Sequence, residues 1–162
     1  MPVSSGDKGE TRWLSQDEQR TWRAFLWGTR ILEVALDRAL HETGLSLSEY
    51  EILSMLSEAD DHRLRMSELA DLVLQSRSRL THTAARLEKR GLVERIPHTK
   101  DRRGVVLCLS DEGYQMVLGA SRVHVRSVRE NLIDLVPEDQ FHALGEVMRT
   151  VESVLRDRGL RP

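Results

Sequence analysis

Apolar residues recur at three- and four-residue spacing along most of this chain, in segments separated by polar or Gly- and Pro-containing breaks. That period is helical. The longest such segment runs from about Ser15 to His41. On a helix, Trp22, Phe25, Leu26, Thr29, Leu36 and Leu40 form one stripe, while Trp27, Ile31 and Val34 fall opposite. Arg23, Arg30 and Asp37 occupy the narrow polar strip between them. A helix apolar on two faces needs two partners. One is the chain's own core, and the expectation for the other is a second subunit.

The next helix announces its start. Ser46 as N-cap with Glu49 at N3 makes a capping box, and Leu45 and Tyr50 stand at staple spacing. Ile52, Leu53 and Leu56 make its apolar side, which ends near Glu58. A polar connection from Ala59 to His62 follows. Ser67 is then positioned to start a short helix over Glu68–Leu74, with Leu69, Leu72 and Val73 inward. The pattern breaks at Gln75 and Ser76. Ser76 or Ser78 caps a further helix from about Arg77 to Arg90, with Leu80, Ala84 and Leu87 buried and Gly91 at the left-handed C′ position. Two short helices joined by a tight turn, the second bearing polar residues outward, read as a helix-turn-helix.

Leu92 to Ile96 reads as a strand, Pro97 to Gly104 as a loop and Val105 to Leu109 as the return strand. Ser110 caps a long helix expected over Asp111–Leu135. Pro137 is expected at N1 of the last helix, whose Phe141, Leu144, Met148, Val151 and Leu155 form a narrow seam suited to helix–helix packing.

Charge changes the picture. The net charge of −2 on 162 residues says little, but its distribution is uneven. Between His62 and Gly104 there are eleven Lys/Arg against five Asp/Glu, a local balance of +6, which leaves −8 for the remainder. A basic centre between acidic ends fits a protein whose middle alone meets phosphate. The outward face of the Arg77–Arg90 segment supplies suitable groups. Ser76, Arg77, Ser78, Arg79, Thr81, His82 and Arg86 are the expected DNA contacts, since Arg can donate twice to guanine and Ser or Thr can bond base or phosphate. A doubly basic loop tip follows at Thr99–Gly104. Arg102 and Arg103 are suited to a narrow minor groove and Lys100 to phosphate, with Asp101 holding an arginine in place.

The ordered set Ser67–Ala70 (SELA), Ser76–Thr81 (SRSRLT), Leu87–Val93 (LEKRGLV), Asp101–Gly104 (DRRG) and Leu109–Gly113 (LSDEG) resembles the MarR, or multiple antibiotic resistance regulator, family. The resemblance covers Ser46 to Gly113 by motif and nearly the whole chain by layout. It implies a mainly α fold with a small β-hairpin wing: a winged helix-turn-helix joined to a helical dimerisation domain built from the N- and C-terminal helices. The corresponding boundaries are a flexible N-terminus over 1–14, a dimerisation region over 15–44 and 111–162, and a DNA-binding domain over 45–110. It also implies a prokaryotic, cytoplasmic homodimer that represses a pseudo-palindromic operator on double-stranded DNA and is released by a small-molecule effector. Members often carry Thr where Ser110 stands, a change that keeps the cap.

The signal to which such a protein would respond is less legible. By family analogy an effector pocket lies between the dimerisation helices and the DNA-binding lobe, where Trp27, His41, Tyr50 and Met55 would suit a small aromatic ligand. Packing of the dimer core is the competing reading of those residues. Cys108, the one cysteine, excludes an intramolecular disulfide framework and stands apart from any cationic cluster. The six histidines include no closely spaced metal-ligand pair. A zinc-responsive regulator of the same fold and a winged-helix adaptor that binds protein remain the alternatives. No required cofactor is expected, no membrane span and no catalysis: Gly-rich phosphate loops and the common hydrolase and metalloprotease motifs are missing from the sequence.

Overall fold

The computed structural model describes residues 11–73, 75–98 and 104–160. The tail expected to be flexible over 1–14 lies, up to residue 10, outside them. The chain forms two compact units, one ending at Ile31 and the other beginning at Leu32.

Helix α1 (Gln16–His41) opens on a reciprocal cap. Glu18 N–H donates to Ser15 Oγ at 3.2 Å, and Ser15 N–H donates to the Glu18 carboxylate at 2.7 Å. In the N-terminal unit Trp22 and Phe25 stack with centroids 6.0 Å apart, and Trp22, Trp27 and Ile31 are exposed. Helix α2 (Leu47–Glu58) begins with the expected capping box. Leu45, on the N′ side of that box, is fully buried, and Tyr50 nearly so.

A 3₁₀ turn over Asp60–His62 leads to a short strand β1 (Arg63–Arg65), which the sequence did not announce. A single leucine between two arginines gives no alternation to detect. The strand exists because it pairs with a partner remote in sequence. Helix α3 (Met66–Leu72) therefore starts just after Arg65 rather than at Ser67, with the Arg65 N–H donating to the Glu68 carboxylate at 3.1 Å. Leu72, expected inward, is 54% exposed because α3 ends there.

Helix α4 (Arg77–Lys89) settles the choice of cap: Ser76 Oγ accepts from Arg79 N–H at 3.4 Å. Its C-terminus is a Schellman motif, with Leu92 N–H bonded to the Leu87 carbonyl, Gly91 N–H to the Glu88 carbonyl, and Gly91 at φ +73°. Strands β2 (Val93–Pro97) and β3 (Val105–Leu109) complete an antiparallel sheet in the order β1-β3-β2. Register pairs Leu64 with Leu107 and Arg95 with Leu107 on the opposite edge. The wing thus carries a third strand.

Helix α5 (Asp111–Asn131) stops short of Leu135. Leu132 leaves helical geometry at φ −144°, and a 3₁₀ turn covers Ile133–Leu135. Helix α6 (Glu138–Asp157) begins after Pro137, which takes the N-cap rather than N1. The core of the larger unit joins Leu40, Leu45, Ile52, Leu53 and Leu56 to Leu69, Leu80, Leu87, Leu107 and Val117. The N-terminal end of α5 is held close to the wing: a Cβ at Gly113 would stand 2.1 Å from the Leu92 carbonyl oxygen. Helix α6 buries nothing. Leu144, Val147, Met148, Val151, Val154 and Leu155 are all exposed on it.

Candidate nucleic-acid interface

The sequence of α4 divides it cleanly. Leu80, Thr83, Ala84 and Leu87 are buried, whereas Arg77, Ser78, Arg79, Thr81, His82 and Arg86 are exposed. No acidic residue occupies its first turn. The positive end of the helix dipole is therefore left for an external anion. Of the wing tip, Lys100, Asp101, Arg102 and Arg103 lie outside the described residues. The base of the wing is closed by His98 N–H donating to the Gly104 carbonyl at 2.9 Å.

Two polar clusters fix the attitude of α4. At its N-terminus Gln75, 4% exposed, donates from Nε2 to the Ser48 carbonyl at 2.9 Å and to the Glu51 carboxylate at 3.1 Å. Its Oε1 accepts from the buried Thr83 hydroxyl at 3.3 Å. At the other end Glu49, beyond capping α2, lies 3.5 Å from Arg86 Nε and 3.4 Å from Arg90 Nη1. Arg90 also donates to the Gly44 carbonyl at 2.9 Å. Toward the wing, Glu88 accepts both the Arg95 side chain, at 2.8 Å from Nε, and its backbone N–H. The hydrogen bond from Arg95 lowers the Glu88 carboxyl below its ordinary range.

A groove of about 960 Å³ runs between the last turns of α1, α2, α4 and α5. His41, Tyr50 and Met55 line it, as do Arg79 and Arg86 from α4. Trp27 belongs to the N-terminal unit and is 64% exposed. Within the groove the Tyr50 and His124 rings meet with centroids 4.5 Å apart. His124 Nδ1 is buried with no hydrogen-bond partner among the described residues, and burial lowers the imidazole pKa. His41 Nδ1 donates to the Asp37 carbonyl at 2.7 Å. Asp37 in turn accepts from Leu47 N–H at 2.7 Å, tying α1 to the start of α2.

Among the described residues, no group of three or more His, Cys, Asp or Glu side chains is placed to hold a metal ion, and no helix is long and apolar enough to cross a membrane. Cys108 lies opposite Arg63 on β1, but burial outweighs that cation and raises the thiol pKa.

Residues 45–105 match the MarR family model. AbsC, a MarR family transcriptional regulator from Streptomyces coelicolor, is 38% identical and superposes with a TM-score of 0.86 over 91% of this chain and 99% of its own. The chain belongs to the MarR family of transcriptional regulators. A second MarR family regulator from Streptomyces coelicolor, solved in complex with DNA, is 41% identical with a TM-score of 0.86 over 90% of this chain and 92% of that one. The HTH-type transcriptional repressor YetL of Bacillus subtilis is 31% identical over 70% of each chain. The winged-helix architecture and the flanking long helices are those of MarR regulators. Gln75, Thr83 and Glu49 were not read from the sequence as parts of the MarR helix-turn-helix. Glu49 was read only as the N3 partner of the α2 capping box; the contacts these three make across elements left no local signal beyond polarity beside an apolar stripe, because those partners lie on other elements.

Proposed function

We propose that this MarR regulator acts in the cytoplasm as a homodimeric repressor. Each protomer lays α4 in a major groove of a pseudo-palindromic operator, and a small aromatic effector releases the complex. The observation that carries this reading is the exposed row Arg77, Ser78, Arg79, Thr81 and His82, presented on a helix that buried polar contacts hold at both ends. The 41%-identical regulator in complex with DNA supports it. Half-sites then stand about one turn, roughly 10 bp, apart. The exposed apolar row on α6 supports dimerisation. In this reading the wing tip, Lys100, Arg102 and Arg103, adds backbone and minor-groove contacts, and Asp101 orients an arginine.

Release follows from the position of the groove. Arg79 and Arg86 belong both to α4 and to the groove wall. An aromatic ligand stacked on Tyr50 and His124 would draw those guanidiniums away from DNA. No cofactor or catalytic step is required. Selection of duplexes from a random pool by the purified protein tests the reading: a two-fold symmetric site should be enriched. Retention without a motif would mean backbone-dominated binding, and no retention would overturn the reading.

A further inference from the structure

A second cavity, of about 330 Å³, lies between α4 and the base of the wing. Arg65 and Ser67 form one wall, Thr81 of α4 another, and Arg95, Gly104 and Val105 of the hairpin the third. Among the described residues, no carboxylate lines it. The two arginines differ in what they leave available. Arg95 is committed to Glu88 and contributes little net charge. Arg65 is partly buried and has no carboxylate on its guanidinium among the described residues. Its Nη2 instead donates to His98 Nε2 at 2.6 Å. An imidazole carries no negative charge, so it orients the guanidinium across the sheet edge without cancelling its charge, and the remaining N–H groups of the fork are left over. Ser67 is exposed, and its hydroxyl makes no hydrogen bond among the described residues.

We propose that this cavity seats one backbone phosphate of the bound duplex, with Arg65 as its charged ligand and Ser67 as a second donor. The proposal rests on the DNA-binding reading above. Among the described residues, the charge balance of the lining, one uncompensated guanidinium, matches one phosphodiester. Thr81 places the seat one helical turn from Arg77, beside the row that faces the bases. An arginine already held by His98 loses less side-chain entropy on binding than a free one. Arg65 therefore fixes the register of α4 on the duplex without reading sequence.

The test is operator affinity, measured by fluorescence anisotropy across a salt series, for the full chain and its Arg65→Gln and Arg65→Lys variants. Arg65→Gln should bind about tenfold more weakly at near-physiological salt. The slope of log affinity against log salt should become shallower by about one, with the ranking of mutated sites unchanged. Arg65→Lys should keep the wild-type slope. An unchanged slope in Arg65→Gln, or a loss confined to particular base pairs, overturns the proposal while leaving the DNA-binding reading standing. A wild-type chain that binds no duplex overturns both. If Arg65→Gln does not fold, single methylphosphonate substitutions decide. One linkage per half-site should be costly for wild type and less so for Arg65→Lys, and equal penalties at every linkage contradict the seat.

Discussion

His124 is a group whose environment opposes its charge. Its Nδ1 is buried beside Tyr50 and unbonded among the described residues, and burial depresses its pKa. The unfolded chain therefore takes up this proton at higher pH than the folded one. Its contribution to stability is present above about pH 6.5 and is lost as pH falls through the depressed folded value. His124→Phe keeps a ring against Tyr50 and removes the titration, so its melting temperature should fall less than the wild type's between pH 7.5 and 5.5. An equal fall in both would refute the assignment. Gly113 is constrained by space instead. A methyl there meets the Leu92 carbonyl at 2.1 Å, and Gly113→Ala should cost about 2–3 kcal/mol in urea unfolding. A neutral result would mean that α5 can shift freely from the wing. At this scale the caps were legible. Ser46, Ser76, Ser110 and Gly91 act on backbone groups within a few residues, so their chemistry is written locally. The roles of Gln75 and Thr83, and that of Glu49 beyond its capping box, were not, because the groups they bond were unknown until α2 and α4 met.

Among the elements, α4 takes its position from polar contacts with its neighbours. Gln75 is the joint between α2 and the cap of α4. Gln75→Ala leaves the Thr83 hydroxyl and the Ser48 carbonyl without this partner, at a cost of about 1–3 kcal/mol. It should also weaken operator binding by more than the stability loss explains. Wild-type affinity in the folded variant would show that α4 is oriented without this joint. The long helices were legible from their period, and β2 and β3 from an apolar run and a turn. Strand β1 was not. With one leucine between two arginines, it owes its conformation to pairing with β3 rather than to its own residues. The end of α5 was misplaced for a related reason: Leu132, Ile133 and Leu135 continue the apolar pattern through a backbone that has already left the helix.

For the whole molecule, the apolar row of α6 is an unsatisfied surface. Val151→Asp combined with Leu155→Asp places two carboxylates in that row. The variant should run as a monomer by light scattering and lose operator affinity, whereas a stable dimer would show that α6 is not the dimer seam. The seam was visible in the sequence as one suited to helix–helix packing, and the family resemblance made a second copy its expected occupant. The central claim is that two copies of α4, fixed by one dimer, read one two-fold site. The most direct measurement compares affinity for the selected operator with affinity for the same half-sites separated by about five more base pairs, half a turn. The expected result is a loss on the order of a hundredfold, because the two helices can no longer engage together. Equal affinity for both duplexes would contradict it.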